Sequence, residues 1–173
     1  MAMIVTKAGG GFVSKCPLCG QNLAEPIFAT SHFIGDKSHD LYRFSDAAMH
    51  WTCYVHWPHQ ARFAQLYFEA GLRASERGSQ PQYWPTLLKS ADALVRYGLV
   101  VNEVSVLLRR SGTDIRITQS DWPQWLHGGW RDQCHPELER DALAELMPEL
   151  VKLTLPGLIV PLAGNNSLPP KTN

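Results

Sequence analysis

Apolar and polar residues alternate most clearly in the second half of the chain. The alternation runs over residues 104–108 and again over residues 115–117, on either side of a turn-forming stretch at residues 110–113. A period of two places all the apolar side chains on one face of a strand. The pattern therefore predicts a β-hairpin with one buried and one exposed face.

Apolar residues spaced three and four positions apart predict three longer helices. The first follows Pro58 and ends at Gly71, the second covers residues 85–97, and the third begins at Pro136 and is limited by Pro148. Proline is tolerated in the first turn of a helix and glycine often ends one, and these preferences set the predicted boundaries.

Tryptophan is frequent, with six residues in the chain. We interpret most of them as core residues or as shields of a metal site, because the indole ring buries a large apolar area. A short helical piece begins at Ser120 and ends at a Gly-Gly pair. Trp125 and Trp130 flank that pair, and we expect them to be partly exposed.

A polar stretch at residues 73–82, which contains glycine and proline, is the best candidate for a linker. It separates an N-terminal module, residues 12–72, from a helix–hairpin–helix portion, residues 83–160. The polar end at residues 164–173 is expected to be a flexible tail. We therefore predict an α+β protein, and the sequence leaves open whether its two portions are separate domains or one unit.

The composition excludes several broad classes of protein. Of 173 residues, 45% are apolar and 18% are charged, which is typical of a folded globular protein. Sixteen basic residues balance sixteen acidic ones, so the chain lacks the positive charge of a general nucleic-acid binder. No apolar run reaches the roughly 18 residues of a membrane span, and no signal-peptide core follows the N-terminus. We expect a cytoplasmic protein.

The cysteine spacing indicates a metal site. A reducing cytoplasm disfavours disulfides, and the run C-P-L-C-G from Cys16 to Gly20 is typical of a zinc knuckle. In such a knuckle Cys16 and Cys19 converge on one ion, and Gly20 reverses the chain at positive φ. Cys134 lies far along the chain, and we interpret it as a small buried residue.

His50 and Cys53 are the predicted second half of this site. A helix that begins near Ser45 or Asp46 would place these residues, three apart, on one face. The pattern C-x₂-C-x₃₀-H-x₂-C then predicts one structural zinc ion in a Cys₃His tetrahedron. The predicted ligands are Cys16, Cys19, His50 and Cys53.

His56 is the alternative fourth ligand, because it has the same spacing from Cys53 on the other side. We favour His50 because ligand pairs of this kind lie at the start of a helix. Pro58 disturbs the helix close to His56.

A knuckle, an extended stretch and an H-x₂-C pair together resemble a treble-clef zinc finger. The HWTC segment at residues 50–53 is similar to the first finger of LIM domains, and the layout is also similar to that of uncharacterised bacterial proteins. For the hairpin of a treble clef we expect strands at residues 26–30 and 41–44, joined by a turn at residues 35–38. The spacer is longer than in LIM domains and no second finger follows, so a LIM scaffolding role is not implied.

Four protein ligands leave no position for an activated water, so we expect the zinc to stabilise the fold rather than to catalyse a reaction. The favoured function is a non-enzymatic binding or adaptor module whose partner is a protein. The first alternative is a nucleic-acid-binding finger with a local basic patch. That patch would contain Lys7, Lys15, Lys37 and Arg43.

The second alternative is a metal-dependent nuclease, since treble clefs also underlie HNH-type nucleases. That resemblance implies a general base at His32 or His39 and a second metal ion near His56 or His59. No G-x-S-x-G, G-x-x-x-x-G-K-[ST] or H-E-x-x-H motif supports another enzyme class.

Overall fold

The structure, a computed structural model, describes residues 4–6, 10–76, 83–135 and 137–156. It contains both helices and strands, which confirms the α+β prediction. The strands are β1 (Ile27–Ala29), β2 (Ala48–His50), β3 (Thr86–Lys89), β4 (Ala93–Gly98), β5 (Glu103–Leu108) and β6 (Asp114–Thr118). The helices are α1 (Trp51–Val55), α2 (Gln60–Glu76), α3 (Trp122–Gln124), α4 (Trp130–Gln133) and α5 (Arg140–Leu150), with a π-type turn (Trp125–Gly129) between α3 and α4.

The N-terminal hairpin pairs β1 with β2, in a register that places Ile27 opposite His50. The strand predicted at residues 26–30 is confirmed, but the strand predicted at residues 41–44 is wrong, since Tyr42–Phe44 is a short 3₁₀ helix. Leu41 and Phe44 are both buried. Side chains three residues apart reach the same side in a helical turn but opposite sides in a strand, which explains the difference.

The helix expected to begin near Ser45 or Asp46 begins later. Residues 48–50 are occupied by β2, and α1 starts at Trp51 with His50 in an extended conformation at its N-cap. Asp46 has a φ of +68°, which reverses the chain in front of β2 and is incompatible with the first turn of a helix.

The second half is built on an antiparallel sheet in the order β3-β4-β5-β6. The hairpin predicted from the alternating pattern is confirmed as β5 and β6, in which Val104 pairs with Ile117. The exposed face predicted for it is wrong in β5, which is buried on both faces because α2 covers the side that carries Leu107. The helix predicted over residues 85–97 is wrong, because this stretch forms β3 and β4. Strand β4 is buried on both faces, and apolar residues such as Leu94 and Val95 fall at spacings that also fit the apolar stripe of a helix.

One face of this sheet packs against the C-terminal helices. Trp125 and Trp130 were expected to be partly exposed, but both are buried against this face. Gly128 adopts a φ of +132° and the chain continues into α4 instead of ending at the Gly-Gly pair, which turns both indoles inward. The other buried residues of this core include Val95, Tyr97, Val104, Val106, Ile117, Trp122, Leu143 and Leu150.

Helix α2 packs against the opposite face of the sheet, where Phe68 contacts Leu94 and Leu107. Gly71 was predicted to end this helix but lies inside it, and a Cβ atom at this position would collide with the side chain of Leu107. The helix runs to Glu76, so the first residues of the predicted linker are helical, and residues 77–82 lie outside the described part.

Helix α5 begins at Arg140 and passes through Pro148, where an end was predicted. Leu150 is fully buried and anchors the last turn.

Pro136 and the predicted tail at residues 164–173 lie outside the described residues. The division into residues 12–72 and 83–160 stays a prediction. Among the described residues, no helix has the length and apolar character needed to cross a membrane.

Candidate metal centre

The knuckle is a tight turn closed by backbone hydrogen bonds. The Cys16 N–H donates to the Gln21 carbonyl and the Gly20 N–H donates to the Cys16 carbonyl, both at 2.8 Å. Gly20 has a φ of +75°, as its position in the motif predicted. Asn22 forms a bridge with Lys15 that continues the turn as a short ladder. This geometry turns both cysteine side chains toward one point.

The second pair of side chains comes from the junction between β2 and α1. His50 Nδ1 lies 3.4 Å from Cys19 Sγ and 3.7 Å from Cys53 Sγ. The ligand atoms of Cys16, Cys19, His50 and Cys53 all lie within 4.8 Å of one another. The structure therefore brings together the four side chains that the spacing pattern selected.

These distances fit the edges of a tetrahedron. Zn–S bonds of about 2.3 Å and Zn–N bonds of about 2.0–2.1 Å give sulfur-to-nitrogen edges of about 3.6 Å in tetrahedral geometry. The two distances from His50 Nδ1 to Cys19 Sγ and Cys53 Sγ, 3.4 and 3.7 Å, lie on either side of that value. The cluster can hold a metal ion, and three sulfurs with one imidazole form a donor set that suits zinc.

A hydrogen bond to the knuckle orients the imidazole of His50. Its Nε2 lies 3.0 Å from the Asn22 carbonyl oxygen, which can only accept a hydrogen bond. Nε2 therefore carries the proton and Nδ1 presents its lone pair to the cysteines. Such a partner fixes the tautomer of a metal-binding histidine and increases its basicity. The sequence offered no signal for Asn22, because its contribution comes from the backbone.

The thiols of the cluster have unequal pKa values. Burial raises the pKa of Cys16, but hydrogen bonds from the backbone of His50, Cys19 and Leu18 outweigh it and leave the pKa below its usual value. Burial, followed by the neighbouring sulfurs of Cys19 and Cys16, raises the pKa of Cys53 to about 11. Three clustered thiolates repel one another, and a bound divalent cation removes that repulsion.

The cluster lies at the edge of the N-terminal core. Cys16 is buried, His50 and Cys53 are half-buried, and Cys19 is exposed. Trp51 and Trp57 are partly buried members of the apolar cluster that also contains Cys16. An ion held by this cluster would lie between the buried Cys16 and the exposed Cys19.

His56, the alternative ligand, is engaged elsewhere, because its Nδ1 lies 2.8 Å from the Thr52 carbonyl oxygen. His32 packs against Tyr42, and His59 packs against Trp57. In the part of the chain that the structure describes, only the Cys₃His group brings three or more metal-ligating side chains within reach of one ion.

Two further predictions concern residues outside the cluster. Cys134 is buried, which confirms its interpretation as a small core residue. In the predicted basic patch, Lys15, Lys37 and Arg43 are exposed, and Arg43 lies over the ring of Phe44, whereas Lys7 lies outside the described residues.

Comparison of the chain with models of known protein families, with curated proteins and with solved structures finds no match. What this centre can bind therefore follows from its own geometry.

Proposed function

We propose that Cys16, Cys19, His50 and Cys53 bind one zinc ion that stabilises the N-terminal half of the protein. The order of knuckle, hairpin and helix start supports a treble-clef arrangement, with one ligand pair on the knuckle and the other at the junction of β2 and α1. Elemental analysis of the purified full chain should give one zinc per protein. A result of no zinc, or of two, would contradict the closed single site.

The proposed biochemical role is that of a zinc-stabilised binding or adaptor module whose partner is a protein. The observation that carries this proposal is the cluster of three sulfurs and one nitrogen within 4.8 Å of one another, which would fill all four positions around a tetrahedral zinc ion. A zinc ion held in this way has no position for a water molecule and acts on the fold.

An exposed apolar turn supports a protein as the partner. The turn between β4 and β5 presents Leu99, Val100 and Val101, with 45%, 76% and 53% of their surface exposed. Tyr83 is also exposed and accepts a hydrogen bond from the Leu99 N–H through its carbonyl at 2.9 Å. Contiguous exposed apolar residues mark interaction surfaces more often than isolated ones do.

Site-specific photo-cross-linking in cells tests the role of this turn. A cross-linking residue at Val100 of the full chain should capture a defined protein, and the capture should be lost when Leu99→Asp is added. Val151, an exposed apolar residue at the C-terminal end of α5, is the matched control position and should capture nothing reproducible. Equal capture at both positions, or capture of RNA at Val100, would contradict a protein partner at this turn.

A further inference from the structure

A cleft of about 450 Å³ opens between α2 and the sheet face that α2 covers. Residues 31–33 close one end of the cleft, and α2 forms one wall. Strands β4 and β6 contribute arginine side chains to the opposite wall. The volume lies in the range of about 300–1,000 Å³ that is usual for small-molecule sites. This cleft is separate from the metal centre, since none of the four cluster residues lines it.

The charges that line the cleft are mostly positive. Arg73, Arg96 and Arg116 line the cleft together with one carboxylate, Asp114, so the lining itself carries a net charge of +2 with histidine neutral. A second carboxylate, that of Glu103, lies outside the lining and 4.0 Å from Arg116. Asp114 is already engaged: it accepts hydrogen bonds from Arg116 at 2.6 and 2.9 Å and another from the Ser105 hydroxyl. Glu69, the partner of Arg73, is 3.8 Å away on the exposed surface, where ion pairs are weak.

Among these arginines, Arg96 has the positive charge with the weakest ion pairs and hydrogen bonds. Its side chain is only 12% exposed, it lies 4.0 Å from Asp114, and its one hydrogen bond, to Ser105, is long at 3.4 Å. Its Nε is buried and has no partner among the described residues. Burial lowers the pKa of Arg96, Asp114 opposes this effect, and the charge of Arg116 adds to it. A buried guanidinium with so few partners is costly unless an anion completes its shell.

The structure holds the arginine pair in place. The guanidinium of Arg116 lies 4.6 Å from the centre of the Trp84 ring, and that of Arg96 lies 5.9 Å from it. A common aromatic neighbour and a shared carboxylate restrict both side chains before any ligand arrives. Such preorganisation reduces the entropy lost on binding.

Neutral hydrogen-bonding groups and an apolar wall complete the cleft. The hydroxyls of Ser31 and Tyr67 lie 3.3 Å apart at its rim. The rings of Phe33 and Tyr67 meet edge to face, with centroids 4.9 Å apart, and Leu107 lies below them. A ligand that fits these surfaces has an anionic end and a planar or apolar body.

We propose that this cleft binds a phosphate monoester with a planar body, of the class of a nucleoside monophosphate. A phosphate monoester carries a charge close to −2 and three acceptor oxygens, which match the net charge of the lining and its three guanidinium groups. The aromatic rings of Phe33 and Tyr67 would contact the planar body of the ligand.

Calorimetry on the full chain tests this proposal, with adenosine 5′-monophosphate, inorganic phosphate and adenosine as probes at low salt. The monophosphate should bind at least tenfold more tightly than phosphate, and adenosine should give no signal. Arg96→Gln should weaken monophosphate binding at least tenfold. Arg109→Gln is the matched control, because Arg109 is exposed and does not line the cleft, and it should leave binding unchanged.

Should Arg96→Gln fail to fold, Arg73→Gln decides the question, since Arg73 is half-exposed on the surface of α2 and should weaken binding severalfold without loss of structure. Absence of monophosphate binding at millimolar concentration would overturn the proposal. Equal binding by the Arg73 and Arg109 variants would do the same. Salt-sensitive binding of a single-stranded oligonucleotide without monophosphate binding would replace it by a nucleic-acid surface.

Discussion

The Cys53 thiol should contribute to the pH dependence of metal binding at the cluster. Its pKa of about 11 keeps it protonated at neutral pH in the metal-free protein, whereas a metal ion binds the thiolate. Zinc binding at pH 7 should therefore release about one proton from this group, and this proton alone should make the affinity rise about tenfold per pH unit while Cys53 stays protonated. Calorimetry in buffers of different ionisation enthalpy measures the release.

Cys134→Ser provides the control, because this buried thiol lies outside the cluster. The number of protons released should not change in this variant. A release of zero protons from the unaltered protein would show that Cys53 is not a ligand or is already ionised.

His50 and His56 can be distinguished by paired substitutions. His50→Ala removes one of the four ligand atoms and should lower zinc affinity roughly 100-fold or more, beyond the 10–100-fold typical of losing an outer-shell partner. His56→Ala removes only a side chain that contacts the Thr52 carbonyl, and should change affinity little. Competition with a chromogenic chelator measures both variants. A reversed order would mean that the imidazole of His56 replaces that of His50.

The sequence predicted the members of the cluster better than the backbone that holds them. Spacing within the chain identified Cys16 with Cys19 and His50 with Cys53, and the structure brings these pairs together. The conformation at His50 was different from the prediction, since this residue ends β2 and caps α1 instead of lying within a helix. Its pairing with Ile27 decides this, and such long-range pairing leaves no local pattern.

At the scale of elements, alternation predicted a hairpin correctly but did not predict which strands are buried on both faces. The alternation in β5 and β6 identified the hairpin, yet Ser105 and Leu107 on the second face of β5 are buried as well. Strand β4 packs against α2 through Leu94 and against the C-terminal helices through Val95. Both neighbours come from elsewhere in the chain. The apolar residues of β4 alone could therefore not distinguish a strand from a helix.

The turn between β5 and β6 is held against α2 at Gly112. This residue has a φ of +71°, and a Cβ atom there would lie 3.1 Å from the Ala64 Cα. Gly112→Ala should lower the free energy of unfolding by about 2–3 kcal/mol, because it combines left-handed backbone strain with overpacking. Urea denaturation measures the change.

The variant Gly11→Ala distinguishes backbone strain from overpacking. Gly11 has a similar φ of +78° with no atom within 4 Å of the added Cβ. This variant should lose only the backbone contribution, about 1–2 kcal/mol. Equal losses at the two positions would show that the turn does not press on α2.

At the scale of the whole molecule, Tyr54 links the two halves. It stacks on Phe28 in the N-terminal core, and its hydroxyl donates to the Ser111 carbonyl at 2.7 Å. Gln60 reinforces this link by donating to the Arg110 carbonyl at 3.1 Å. Tyr54→Phe leaves a buried carbonyl without its donor and should cost about 1–3 kcal/mol.

Tyr83→Phe is the matched control, because Tyr83 is exposed, and it should leave the free energy of unfolding nearly unchanged.

Burial also raises the pKa of Tyr54 above its usual value. The stabilisation from the neutral phenol is therefore complete below pH about 10, the ordinary value for tyrosine, and is lost as pH rises beyond it. The unaltered protein should lose stability above pH 10 more steeply than Tyr54→Phe, and parallel curves would contradict this role.

The order in which a ribosome makes these groups gives the Tyr54 link a further consequence. Ser111 follows Tyr54 by 57 residues, and Arg110 follows Gln60 by 50. At translation rates of about 5–20 residues per second, Tyr54 emerges roughly 3–11 seconds before its acceptor exists. All four cluster residues precede Tyr54. During that interval the nascent N-terminal half has its metal ligands but not the sheet on which it packs. The concentration of free metal in the cell would then decide whether this half is folded or is unfolded and susceptible to proteolysis.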